Sequence, residues 1–588
     1  MKVIVQCIIW AFLSRLVTSL VSDYYVKGLP GIPKSTNLKA HSGHISVDEN
    51  SSLFFLFVNN RYIIDKQRTV IWLNGGPGCS SMDGAFLENG FFRIIANDTL
   101  VENQGSWNEF SNLVFVDQPV GTGFSYTSGN YADGISKAVD QFMIFLDKFF
   151  ELFPEYKRDD LYISGESYAG QYVPYIANYI LKRNKKDHSK SYNLKGILIG
   201  NGWISPLTHY KSYLPFALTN NLVVKGSEHE SKIEKATQLC ELAIKNNDEN
   251  VLSSCDRILE LIVDPEYRNG KECLNMYDYR LESTSCGLDW PQELSYLSEY
   301  LRKTETMKAL NVNLDKHIKW EECSTKVIEK FTRYQPQSAV SLLPDILSEI
   351  RVLLYSGDKD IICNHMGTED TINEIEWNGR KGFRKEDGTW ATRYKWIFMN
   401  KHVGYYQYDR NLTYVLIKDA SHMVPYDKPL ESLDMLNRFL EIDPKLIEEV
   451  RKSNSWNNAS TGNIDYDDGS KTYGRSKAVW SLYYHIGGII LIFLIFGTIL
   501  LAWYLYNSHR KLRKEYINKY NNTNNQNYRL ESQIESDKNS VPPYNRKDNY
   551  HEYSNYANIS HYDKPYTHVR DVGGSSDMER DEFRRTGN

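Results

Sequence analysis

The chain has 588 residues, with 69 Lys and Arg against 74 Asp and Glu, and its formal net charge of −5 excludes a nucleic-acid binder carried by bulk positive charge. Hydrophobic residues make up 41% and aromatics 13%, enough for a large core, so wholesale disorder is excluded. A mean hydropathy of −0.51 excludes a polytopic membrane protein.

Lys2 precedes an apolar run from Val3 to Leu13, and small residues follow at Ser19 and Ser22. Residues 1–22 are therefore predicted to be a secretory signal peptide, with Arg15 interrupting its apolar region. The body then alternates short β-rich runs with longer helical patterns, the signature of an α/β fold: a mixed, mostly parallel sheet with helices on both faces.

The first predicted strand, Thr69 to Leu73, ends in Asn74-Gly-Gly-Pro-Gly-Cys-Ser-Ser81. Glycines there leave backbone amides free to point at a developing oxyanion, while a phosphate cradle is excluded because no Lys-Ser/Thr follows. A second strand runs from Leu113 to Asp117, and a third, Leu161 to Ser164, leads into Gly165-Glu-Ser-Tyr-Ala-Gly170 and a helical run from Tyr172 to Leu181. Strand, small-residue turn and helix make a nucleophile elbow with Ser167 at its tip. Ala169 stands where the usual pattern has Gly, a mild departure because small volume is kept.

A fourth strand, Leu194 to Ile199, precedes a stretch from about 205 to 345 where the strand–helix rhythm fails, read as an inserted cap. The fifth strand, Arg351 to Ser356, ends in Gly357-Asp-Lys-Asp360, and the sixth, Thr413 to Lys418, ends in Asp419-Ala-Ser-His422. Nucleophile, acid and His thus follow one another at strand ends in the order a serine hydrolase of this architecture requires.

Residues 447–485 read as a polar stalk, and Ile486 to Tyr506 is an uncharged apolar run followed by Arg510, Lys511, Arg513 and Lys514, so a C-terminal transmembrane helix is expected, with the preceding body lumenal. Residues 507–588 read as a disordered cytosolic tail with two windows of the form recognised by sorting adaptors, Tyr556-Ala-Asn-Ile559 and Tyr566-Thr-His-Val569. Apart from Cys7 in the signal, the cysteines are Cys79, Cys240, Cys255, Cys273, Cys286, Cys323 and Cys363, an odd set in an oxidising compartment. Glycosylation acceptors are expected at Asn50, Asn97, Asn411 and Asn458.

Over roughly residues 23 to 446 the chain resembles the serine carboxypeptidase family, peptidase family S10, on four motifs: Trp72-Leu-Asn-Gly-Gly-Pro-Gly-Cys-Ser-Ser81, Gly165-Glu-Ser-Tyr-Ala-Gly170, Gly357-Asp-Lys-Asp360 with Cys363-Asn364, and Ala420-Ser-His-Met-Val-Pro-Tyr426. The resemblance implies an α/β-hydrolase fold. It assigns Ser167 as nucleophile, His422 as base and then acid, Asp360 as its orienter, and the amides of Gly76 and Tyr168 as oxyanion donors. It also implies that Asn74, Gly75, Glu88 and Glu166 hold the substrate's terminal carboxylate, with Trp72 and Met423 beside them. Glu166 is odd next to a nucleophile, since a second negative charge would repel the substrate; the oddity resolves if Glu88 and Glu166 form a buried pair that keeps a proton.

The positions matching the family's pocket for the last side chain include Asp83 and Glu322, two carboxylates suited to Lys or Arg. The resemblance further implies a Cys79–Cys323 disulfide, which brings those acids toward one cleft, with Cys240–Cys255 and Cys273–Cys286 stapling the cap and Cys363 a free thiol. Spacing alone leaves the connectivity open. The expected partners are peptides and precursors with basic C-termini, with no nucleic acid, metal or cofactor, and the expected location is the late Golgi or trans-Golgi network. Broader or apolar specificity and a related acyltransferase are the alternative readings; an adhesion or receptor ectodomain would have no use for the three strand-end residues together.

Overall fold

The computed structural model describes residues 21–453, apart from 33–35, 37, 65, 97, 247, 249–250, 268–269, 271 and 332–337, together with 503–508, 510–515 and 518. Residues 1–20 of the expected signal peptide, Asn97, Asn458, the greater part of the stalk and tail, and both sorting windows lie outside the described residues. The chain divides into two compact units, 1–459 and 460–588. In the second, the described residues are helical.

The expected C-terminal transmembrane helix is corrected: among the described residues no helix is long and apolar enough to cross a membrane. Residues 486–502 of that segment lie outside the described residues, and the helical stretch 503–508 rises only about 9 Å against a hydrocarbon core of about 30 Å. The fold class that the described residues show is the α/β-hydrolase body, with no membrane-spanning helix among them.

The first unit is built on an 11-stranded sheet among the described residues. Its centre is six parallel neighbours in the order Asn112–Asp117, Arg68–Leu73, Asp160–Glu166, Leu194–Gly200, Arg351–Gly357 and Leu412–Ile417. These are the six strands predicted from sequence, each displaced by no more than two residues at either end. Antiparallel strands complete the sheet: Ser51–Val58 and Ala40–Ser46 on one side, with the short Tyr126–Thr127 paired to Ser51–Val58, and Lys401–Asp409 and Tyr394–Phe398 on the other.

Alternation along the central strands feeds two cores. Ile71, Val114, Ile163, Ile197 and Val352 point to one face, where the helices Ile135–Leu152 and Ala169–Lys186 cover them with Phe142, Phe145, Val173 and Ile176. Val70, Trp72, Phe115, Tyr162, Leu198 and Leu353 point to the other, against Met435, Leu436 and Phe439 of the helix Pro429–Phe439 and the aromatic Trp107. Period-two side-chain placement with both faces buried is what a central parallel strand requires.

The insertion between the fourth and fifth strands is less uniform than the expected cap. The helices Pro206–Thr219, Glu228–Lys245 and Val251–Val263 share their own small core, Tyr210, Tyr213, Ile233, Cys240, Cys255 and Ile258. The helix Glu293–Arg302 instead packs Leu294, Leu297, Tyr300 and Leu301 into the sheet core, so this part of the insertion belongs to the body. At the other end, the helix Pro444–Ser453 buries Ile447 and Val450, and the folded body continues past the expected start of the stalk at 447.

Candidate active site

All the strand-end motifs converge on one edge of the sheet. Ser167 directly follows the strand Asp160–Glu166 and has φ 58°, the strained left-handed backbone expected of an elbow residue, before the helix Ala169–Lys186 begins. Close packing fixes the small residues around it. A Cβ on Gly165 would lie 2.6 Å from the Ala169 Cβ, so the Ala at that position fits only because Gly165 has none. A Cβ on Gly75 would lie 2.4 Å from the Tyr168 nitrogen and 2.8 Å from the Ser167 Cβ, which places the Asn74–Gly76 loop directly on the elbow. Among the described residues neither the Gly76 nor the Tyr168 amide is taken up by a loop carbonyl.

His422 pairs through Nδ1 with Asp360 Oδ2 at 2.8 Å, both side chains buried. Burial raises the Asp360 carboxyl, and the His422 charge, their hydrogen bond and the amides of Ile362 and Cys363 pull it back. Ligand-type atoms of Asp360, Cys363 and His422 all lie within 4.8 Å of one another, and the Ser167 side chain is near enough to act on the Cys363 thiol, which brings the group to the elbow. Cys363 is free and buried, and burial pushes its thiol well above the ordinary range. A thiol held in its protonated form is a poor nucleophile.

Beside the elbow lies a cluster of acids. Asn74 Nδ2 donates to Glu88 Oε1 and Glu166 Oε1, each at 3.1 Å, while its Oδ1 accepts from Trp72 Nε1 at 2.7 Å. Glu88 and Glu166 are fully or almost fully buried. Burial raises both; the Glu88 charge and a hydrogen bond between the two raise Glu166 further, whereas that bond, Asn74, His422 and Arg93 draw Glu88 down. Burial and the mutual repulsion of the two carboxyls thus favour a pair that retains a proton between them. Glu88 Oε2 has no hydrogen-bond partner among the described residues, a buried oxygen open to a ligand.

The disulfide Cys79–Cys323 draws the strand-end loop to the segment carrying Glu322, with Ser80 N donating to the Glu322 carbonyl at 2.7 Å. Asp83 is buried with its Oδ1 unpartnered. Burial raises it well above the carboxylate range, followed by the charges of Glu322, Glu88 and Asp117, and burial pushes Glu322 to about 7. Met423 is buried immediately after His422. The other cysteines pair as Cys240–Cys255 and Cys273–Cys286. Of the described acceptors, Asn50 is exposed, and Asn411, also exposed, donates its amide to the Leu347 carbonyl at 3.0 Å.

Three groups escaped the sequence reading. Tyr277, in the loop closed by Cys273–Cys286, lies 5.0 Å ring to ring from His422, and its carbonyl accepts from His422 N at 2.9 Å. Glu322, Cys363, Asp360 and Glu166 all act on its buried hydroxyl, which places that hydroxyl among the site groups. Arg93 donates to the Glu88 carbonyl at 3.1 Å and lies over the Tyr426 ring at 5.6 Å. Asp117, at the end of its strand, accepts from Ser80 Oγ and the amides of Ser81 and Phe124, folding the loop that carries Asp83. Asp117 and Arg93 stand at or near strand ends and were accessible to the same reasoning; nothing in the spacing marks Tyr277.

The architecture and this strand-end site define an α/β-hydrolase, and the serine carboxypeptidase family profile matches residues 30–442: the chain belongs to that family, a serine-type carboxypeptidase acting on peptide bonds. Among its relatives are the pheromone-processing carboxypeptidases KEX1 of Fusarium vanettenii, 45% identical over 87% of this chain and 86% of that one, and of Tuber melanosporum, 52% identical over 72% and 69%. The crystal structure of KEX1(delta)p, a prohormone-processing carboxypeptidase from Saccharomyces cerevisiae, superposes with a TM-score of 0.66 at 36% identity, covering 72% of this chain and 96% of that one.

Proposed function

We propose that this carboxypeptidase removes Lys and Arg, one residue at a time, from the C-termini of peptides and precursors in the late secretory pathway, pheromone precursors among them. Asp83 and Glu322 carry the reading: two carboxylates joined to the oxyanion loop by the Cys79–Cys323 link, beside the Asn74–Glu88–Glu166 cluster. A terminal carboxylate held by that cluster leaves a long cationic side chain extending toward Asp83 and Glu322, where a desolvated ion pair forms. The names of the relatives fit such a substrate. Three disulfides suit an oxidising lumen such as that of the late Golgi.

In this mechanism Ser167 Oγ attacks the last peptide carbonyl as its proton passes to His422, whose opposite nitrogen is held by Asp360. The Gly76 and Tyr168 amides receive the oxyanion. His422 then gives the proton to the departing amino acid, leaving an acyl-enzyme on Ser167. Water, deprotonated by His422, attacks the acyl carbon and restores the serine. Glu166, with Glu88, Asn74 and the Gly75 backbone, binds the terminal carboxylate through a retained proton, while Trp72 and Met423 wall the site.

Release of C-terminal residues from a mixed peptide library tests the reading: basic residues should leave first, and amidated peptides should be poor substrates. Equal cleavage of amidated and free-acid peptides would remove the carboxylate site, and indifference to the last side chain would leave a carboxypeptidase of broad specificity.

A further inference from the structure

The strand Leu194–Gly200 carries none of the residues assigned above, yet its end touches the segments that carry Ser167, Asp360 and His422. Ser167 N donates to the Gly200 carbonyl at 3.1 Å, and Trp203 N donates back to the Ser167 carbonyl at 2.8 Å. Between them stands Asn201, fully buried and at φ 38°, a left-handed conformation that Asn tolerates better than other side-chain-bearing residues. Its Oδ1 accepts from Gly357 N at 2.9 Å, at the start of the loop leading to Asp360. Its Nδ2 donates to the carbonyls of Ser421, at 2.9 Å, and His422, at 2.5 Å. Its own amide donates to the Tyr355 carbonyl at 2.8 Å.

We propose that Asn201 is a positioning residue for the reaction: one carboxamide clasps the acid loop and the base loop and holds both against the nucleophile elbow. The requirement is chemical. One acceptor must face an amide while two donors face carbonyls, and among side chains of this length only a carboxamide presents both. An aspartate keeps the acceptor and turns a carboxylate toward two carbonyl oxygens. A glycine keeps the backbone conformation and loses the clasp. Transfer of the Ser167 proton to His422 depends on sub-ångström placement, and a displacement of about 1 Å in such a constellation lowers rates about a hundredfold. The side chains of the terminal-carboxylate cluster, Asn74, Glu88 and Glu166, take no part in these bonds.

The inference rests on the proposed triad, and the test separates the two. The rate of labelling by a serine-directed phosphonate and kcat on Lys-ended peptides are measured in Asn201→Asp and Asn201→Gly, and affinity for a Lys-ended peptide is measured in each variant combined with Ser167→Ala. Labelling and kcat should fall at least tenfold in both variants while peptide affinity stays within twofold. Labelling at parental rates would overturn the role of Asn201, and so would a loss of peptide affinity in step with labelling, which marks general damage to the fold. If labelling persists after Ser167→Ala alone, the triad itself is wrong; if it vanishes there and is normal in the Asn201 variants, only the role of Asn201 fails.

Discussion

Glu166 stands next to Ser167, and an ionised carboxylate in that position would repel the anionic end of a substrate. Burial, and then the Glu88 charge, raise the Glu166 carboxyl well above the ordinary range, so on the proposed reading a retained proton lets it donate to that end of the substrate. As pH rises the pair ionises and carboxylate affinity falls, so KM should increase on the alkaline side while kcat, which needs neutral His422, should not decline with it. Glu166→Gln, a permanent donor, should flatten that rise; an unchanged limb in both this variant and Glu88→Gln would remove the shared proton from the account. On the proposed reading Asp83 and Glu322 have the opposite demand, since a cation would be bound by their ionised forms. With Glu322 pushed to about 7, preference for Lys over Leu should grow as pH rises from 5 to 8. Asp83→Asn combined with Glu322→Gln should lower kcat/KM for Lys-ended peptides about 10- to 100-fold, a few kcal/mol of desolvated charge pairing, and leave Leu-ended peptides within about threefold. Equal losses on the two substrate sets would place the basic preference elsewhere.

Among the elements, the central parallel strands were legible because both faces are buried and each reads as a continuous apolar run closed by turn residues. The antiparallel strands were not read: Tyr394–Phe398 exposes three of five positions, and Ser51–Val58, though buried throughout, is a short apolar run whose period does not separate strand from helix. The strand-end positions of Ser167, Asp360 and His422 were legible for the same reason, since each follows one of the central strands. Contacts made by backbone atoms across long separations leave no such trace. The loop closed by Cys273–Cys286 is the case in point: the Met276 carbonyl accepts from the amides of Ile361 and Ile362, Tyr279 N donates to the Lys359 carbonyl, and the Tyr277 carbonyl holds His422 N. This short loop therefore steadies the acid and the base from the cap side. Cys273→Ser with Cys286→Ser should lower kcat about tenfold, the loop being freed at its docking face, while the melting transition of the body remains cooperative. Full activity in the doubly substituted protein would show that the docking bonds hold the loop without the link.

For the molecule as a whole, the buried acids beside the elbow cost stability as pH rises. Asp83, Glu88, Glu166, Asp117 and Glu322 all have carboxyls raised by burial, Asp117 to about 6 and Glu322 to about 7. A carboxyl raised on folding binds its proton more tightly in the native than in the unfolded chain. Stability from each is therefore greatest below the unfolded value near 4 and is lost as pH rises through the folded value. His44 and His209, buried neutral and lowered to about 4, act in the other direction, losing stability as pH falls from 6.5 toward 4. Comparing a variant with its parent cancels the histidines. Asp83→Asn with Glu322→Gln removes two of the strained acids, each raised unit being worth about 1.4 kcal/mol, so the double variant should melt roughly 2–5 °C higher than the parent at pH 8, the gain shrinking as pH falls through 5 toward the unfolded value near 4. The substitution that abolishes preference for basic termini would then be the one that stabilises the protein, and only where the carboxyls are ionised. Thermal melting of both proteins across pH 5 to 8 measures this directly; a gain of the same size at every pH would mean that packing, and not buried charge, separates them.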